Sequence, residues 1–169
     1  RPFVRNGLPL LAPDLAAGPV TVYTFTTTTD RSALAVSELN LVIKRAESKL
    51  ELEYLITIVN ETSPQQTVVP DPTSFELLLP EDAVGASLEV LSGAAPQKLA
   101  PVAGVKPERA ALALPIRSGA TRLRATTSLP YDGRSGRLQL EASLPVRQLT
   151  LLTFPADLEV DGGLFDDAG

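Results

Sequence analysis

Neither histidine nor cysteine occurs anywhere in the 169-residue sequence, and methionine and tryptophan are missing too. Losing imidazole and thiol together removes the commonest general base, the thiolate nucleophile and the soft metal ligands. Serine–histidine–aspartate triads, the usual zinc sites and cysteine-linked haem are thereby excluded, and so is any disulfide. Aromatic rings are few, three Tyr and five Phe, so a sugar-stacking face would have to be built from Tyr23, Tyr54 or Tyr131. No stretch approaches the roughly 18 consecutive apolar residues that cross a bilayer. The most apolar N-terminal piece, residues 8–20, is broken by Pro9, Pro13, Asp14 and Pro19. With 15 basic and 20 acidic residues, a net charge of −5 and no block of either sign, the chain has no electrostatic footprint for nucleic acid.

What is present reads as β-structure. The clearest stretch is residues 50–60, Leu-Glu-Leu-Glu-Tyr-Leu-Ile-Thr-Ile-Val-Asn. Side chains alternate along a strand, so Leu50, Leu52, Tyr54, Ile56 and Ile58 share one face and require a core. Glu51, Glu53 and Thr57 share the other face with Leu55 and Val59, which predicts that something covers part of it. Upstream, residues 34–44 end in alternating Leu39, Leu41 and Ile43; a helix fits residues 33–41, but the β-branched end favours a strand and a hairpin into residues 50–60. Residues 19–29, rich in Thr, Val, Tyr and Phe, predict another strand.

Downstream, Phe75, Leu77 and Leu79 alternate, Leu88 and Val90 mark a short strand, and residues 92–107 form an Ala-, Pro- and Gly-rich connection with a strand expected at 98–102. Residues 120–129 and 136–144 read as a hairpin, the second strand setting Leu138, Leu140, Ala142 and Leu144 against Arg137, Gln139, Glu141 and Ser143. Residues 147–154 and 157–160 read as the last strands. Short strands, proline breaks and no long helix define an all-β fold, an antiparallel β-sandwich of Ig-like architecture with Greek-key-like connections. The length suits one domain. The expected organisation is an extended N-terminal arm over residues 1–18, a single β-sandwich over 19–161 and an acidic tail over 162–169.

The arm carries Phe3, Val4, Leu8, Leu10, Leu11 and Leu15 among prolines too dense for a helix or a central strand. Its apolar content exceeds that of a solvated tail, which predicts docking on its own domain or on another molecule, with Leu55 and Val59 as candidate docking positions.

Other constellations are weaker. Glu51 and Glu53 could pair as glycosidase carboxylates, but read as solvated charges on an exposed face. Ser48-Lys49 sits in a turn without a nucleophile elbow. Asp157, Glu159 and Asp161 alternate in no defined calcium loop and read as edge-strand charge. Asn60-Glu61-Thr62 matches an N-glycosylation acceptor at a loop position. No catalytic residue, cofactor or metal is expected.

Several features recur together: the Ser-Gly-Ala-Thr turn at 118–121, Ser128-Leu129-Pro130-Tyr131, Thr153-Phe154-Pro155-Ala156-Asp157-Leu158-Glu159-Val160, and Phe75-Glu76-Leu77-Leu78-Leu79-Pro80. In this order, over about residues 20–160, the chain resembles uncharacterised exported β-sandwich modules of Acidobacteria and related bacteria, found beside carboxypeptidase-regulatory-like domains. The resemblance implies an extracytoplasmic location (periplasm, outer surface or secreted) and a structural or binding role, and it brings no site residues. The absence of an initial methionine agrees with a processed or trimmed product, and the absence of cysteine with an exported bacterial protein. The expected function is a non-enzymatic subunit of a cell-surface or envelope assembly. Its partners would be proteins, copies of itself included, assembling as filaments through the arm. A carbohydrate-binding or adhesive module is the alternative from another class, and a hydrolase the third.

Overall fold

The computed structural model describes residues 4–5, 8–9, 25–91, 95–102, 105–106, 108–133, 138–155, 157–158 and 160. Its organising element is the hairpin of β4 (Leu34–Ala46) and β5 (Lys49–Asn60), antiparallel from Leu34 opposite Asn60 to Ala46 opposite Lys49. The alternation of residues 50–60 is realised in full: Leu50, Leu52, Tyr54, Ile56 and Ile58 are all buried. A bulge between Val36 and Glu38 lets both Val36 and Leu39 face inward. The turn consists of Glu47 and Ser48, and Glu47 has φ 46°. A left-handed non-glycine residue at the first position of a two-residue hairpin loop is strained, where glycine is not. Glu47→Gly is therefore expected to stabilise the protein by about 1 kcal/mol, read as a higher urea midpoint at unchanged slope.

β5 pairs on its far side with β11 (Gly119–Pro130), antiparallel along its whole length, and β11 pairs with β8 (Val84–Val90). β9 (Gln97–Lys98) adds to β8, and β12 (Leu149–Phe154) lies parallel to β4, completing a six-stranded sheet ordered β12-β4-β5-β11-β8-β9. The second layer holds β7 (Phe75–Leu78) paired with β10 (Arg109–Leu112), and β6 (Gln66–Val68) paired in parallel with β3 (Thr26–Thr28). Val68, Phe75, Leu77, Leu112 and Ile116 from this layer join Leu52, Tyr54, Ile56, Ile58 and Leu123 in one buried cluster. Each such large side chain stabilises the fold by roughly 1.5–3 kcal/mol through its removal from water. The result is an all-β sandwich, mostly antiparallel, with parallel pairs at β12–β4 and β3–β6.

Two expected pairings are corrected. Of the stretch 136–144, the described residues 138–144 do not form a hairpin with β11, whose two sides are occupied by β5 and β8. The chain instead crosses to the other layer: Ala142 bridges Leu77, Leu78 N–H donates to Glu141 O (2.8 Å) and Ser143 N–H donates to Glu76 O (2.9 Å). The alternation survives, with Leu144 buried and Glu141 and Ser143 exposed. Its period fixed a face but not a neighbour. Nor do residues 157–160 form a strand among the described positions; Asp157 lies in a turn and is held by Arg45 Nη2 at 3.1 Å. The strand expected at 98–102 is represented by β9, which overlaps it at Lys98. Of the one expected at 19–29, the described part is β3 at its end. No helix among the described residues is long and apolar enough to cross a membrane.

Of the arm, β1 (Val4–Arg5) and β2 (Leu8–Pro9) are described, and they pair antiparallel with each other. Phe3, Leu10, Leu11 and Leu15 lie outside the described residues, as do Tyr23, Glu159 and Asp161.

Candidate interaction surface

The inner face of the six-stranded sheet is consumed by the core, so any surface function of this sheet belongs to its outer face. Registers define that face row by row. Phe154, Lys44, Glu51, Ser128 and Val84 lie across it, then Leu152, Val42, Glu53, Thr126 and Ser87, then Thr150, Asn40, Leu55, Arg124 and Glu89. The centre is polar and internally neutralised. Glu53 lies 3.6 Å from Lys44 Nζ and 2.8 Å from Arg124 Nε, Arg124 reaches Glu89 at 4.0 Å, and Lys49 Nζ lies 2.7 Å from Glu51. The Arg124–Glu53 contact is a close ion pair out of hydrogen-bond alignment, with Nε shielded from solvent. These groups line a groove of about 300 Å³ between β5, β11 and the start of β8, with Val84 at its rim.

The groove does not have the chemistry of a glycosidase. Its two carboxylates are each matched by cations, and the hydrogen bond from Lys49 holds the Glu51 carboxyl below its ordinary range. A general acid needs the opposite displacement. Among the described residues no group of three or more acidic side chains is placed to hold a metal ion.

Leu55 and Val59 lie on this outer face, both half-buried. Leu55 sits between Asn40 of β4 and Arg124 of β11, and Val59 between Ala35 and Ala120. The two are on one face as expected but four residues apart along β5.

The more exposed apolar side chains lie elsewhere on this face. Leu152 is 45% exposed and Phe154 53%, both on β12, at the margin of the sheet. Sequence reasoning found this strand but not its exposure. A usable signal was present: Leu-Thr-Leu-Leu-Thr-Phe contains no charge, whereas edge strands ordinarily carry one to discourage pairing.

The sugar-binding alternative loses one of its three rings. Tyr54 is 1% exposed and belongs to the core, where burial pushes its phenol up to about 12. Tyr131 is half-buried against the same core. The Asn60-Glu61-Thr62 match, set among the weaker constellations, begins at a buried side chain. Asn60 is 3% exposed, its amide donates to Gln66 O and Ile116 O at 2.9 Å each, and its Oδ1 accepts from Thr62 N–H at 3.1 Å. In the folded chain this side chain is closed to solvent.

No family model and no curated protein matches the chain. A crystal structure of an M1 zinc metallopeptidase from Deinococcus radiodurans is similar to part of it, with 19% identity over 59% of this chain and 21% of that one, at a TM-score of 0.32. The chain thus spans about a fifth of that protein's length, and a likeness at this level carries no argument about activity.

Proposed function

We propose that this protein is a non-enzymatic, extracytoplasmic structural subunit that works by protein–protein contact, copies of itself included, within a cell-surface or envelope assembly. The observation that carries the reading is the outer sheet face, where cations and carboxylates already satisfy one another while Leu152, Phe154 and Val84 stay exposed and Leu55 and Val59 half-exposed. Such a face offers apolar area without unpaired charge, as the centre of a protein interface does. The export suggested by the sequence resemblance supports the compartment. In this reading the arm of one copy lies along the Leu55–Val59 line of another, a head-to-tail contact that does not close.

The test is the mass of the native particle by sedimentation, for the full chain and after deletion of residues 1–18. The full chain is expected to exceed the monomer mass and the truncated chain to lose mass. A full-length monomer at every concentration sinks the self-assembly reading. An unchanged particle after truncation removes the arm from it.

A further inference from the structure

We propose that β12 is a two-fold contact, pairing antiparallel with β12 of a second copy so that the two six-stranded sheets become one continuous sheet. This rests on the self-assembly reading above and names a contact distinct from the arm.

Among the described residues β12 has β4 as its neighbour on one side and none on the other. Backbone geometry says which groups are left over. Leu39 N–H donates to Gln148 O at 2.9 Å, and Leu149 is in register with Leu39. In a parallel ladder this fixes the parity: residues 148, 150, 152 and 154 turn their N–H and C=O groups towards β4. Residues 149, 151 and 153 therefore turn theirs outward, across an edge without a charged side chain.

Charge selects both the partner and the register. The strand is flanked by opposite signs, Arg147 before it and Asp157 after it, both exposed. Arg147 is paired bidentately with Glu61, and Asp157 with Arg45. A two-fold axis reverses one strand against the other and so brings the basic end of each copy to the acidic end of its mate. The register that sets Arg147 opposite Asp157 places Leu152 on the axis, facing its own copy, and Thr150 opposite Phe154. Leu151 and Thr153 then face each other across the axis and exchange both outward N–H···O bonds; beyond Phe154 the chain turns, with Leu158 N–H donating to Pro155 O at 3.1 Å, and the ladder ends. Parity and side-chain face are met equally with Leu151 on the axis, and the placing of Arg147 against Asp157 is what favours Leu152 there. At both ends the ion pairs merge into a row of Glu61, Arg147, Asp157 and Arg45, alternating in sign, drawn from the two copies. Leu152 and Phe154, exposed in the single chain, meet across the axis as a diagonal pair on the outer face.

The native chain has no cysteine, which makes the contact directly readable in the full-length protein. Leu152 at the axis is a non-hydrogen-bonded pair, where opposed side chains lie within disulfide reach. Full-length Leu152→Cys, treated with oxidised glutathione as oxidant, is expected to run as a covalent dimer on a non-reducing gel. Arg122→Cys, exposed on the same face of β11 three strands inward, is expected to cross-link at least about tenfold less. The register is tested by mixing: Thr150→Cys and Phe154→Cys chains should cross-link together and neither alone. An assembled particle in which Leu152→Cys does not cross-link overturns the β12 contact and leaves the wider reading standing. A monomeric particle with no cross-link overturns both. Equal cross-linking of Leu152→Cys and Arg122→Cys marks random collision and overturns the contact, as does cross-linking of Thr150→Cys alone.

Discussion

Asn60→Ala is expected to lower the stability of the folded protein by about 2–3 kcal/mol, enough to move Tm down by about 5–10 °C in a chain of this size. The side chain ends β5 and joins it to the carbonyls of Gln66 and Ile116 and to the N–H of Thr62. Gln66 opens β6, and Ile116 bridges β6 at Val68. One amide therefore fastens the central strand of the large sheet to the second layer. Removing it takes one donor from each carbonyl, leaving Thr62 Oγ1 on Gln66 O and Val68 N–H on Ile116 O, and deprives Thr62 N–H of its acceptor; each lost bond costs about 1 kcal/mol. Asn60→Asp, although of the same shape, should be at least as damaging at neutral pH, because a carboxylate oxygen would face two carbonyl oxygens. Urea unfolding of both variants checks this. A loss of about 1 kcal/mol or less for Asn60→Ala would show that the network is dispensable.

The second large effect appears at alkaline pH. Burial raises the Tyr54 phenol from an ordinary 10.0 to about 12. The folded state therefore holds its proton through a range where the unfolded chain releases it. A raised folded-state value gives stability that is whole below the unfolded value and is lost as pH rises through the folded one. The loss should begin near pH 10, reach about 1 kcal/mol by about pH 11 and approach about 3 kcal/mol above pH 12. Tyr54→Phe keeps the ring in the core and removes the titration. Relative to the native protein, it should unfold at a higher pH, with the stability difference growing between about pH 10 and 12. Every other charged group is common to the two proteins and cancels in the comparison. A pH-independent difference between the two would mean that Tyr54 is not the group responsible.

These two residues also show what local pattern can and cannot reveal. Alternation alone placed Tyr54 with Leu52 and Ile56 on the core face, which already argued against its use as a sugar platform. The burial of Asn60 was not legible, because Asn-X-Thr is a three-residue signal whereas the burial depends on Ile116, far along the chain. The β4–β5 hairpin was legible because both strands alternate and a short polar turn joins them. The segment around Ala142 was legible as a half-buried extended stretch, yet its partner was not, since every free sheet position offers the same period. The parallel seat of β12 left no periodic trace. On the outer face, Leu55 and Val59 were correctly assigned to a side, while the exposure of Leu152 and Phe154 depended on which strand would end up at the margin, a property of topology.

That parallel seat has a consequence for biosynthesis. β4 leaves the ribosome early and finds β5 at once, but its other edge must wait for β12, whose residues are made roughly a hundred positions later. At elongation rates of about 5–20 residues per second, the nascent chain spends several seconds or more with β4 uncovered on that side. A holding chaperone that shields extended apolar segments would find its binding site there, and release would be timed by the arrival of the last strand.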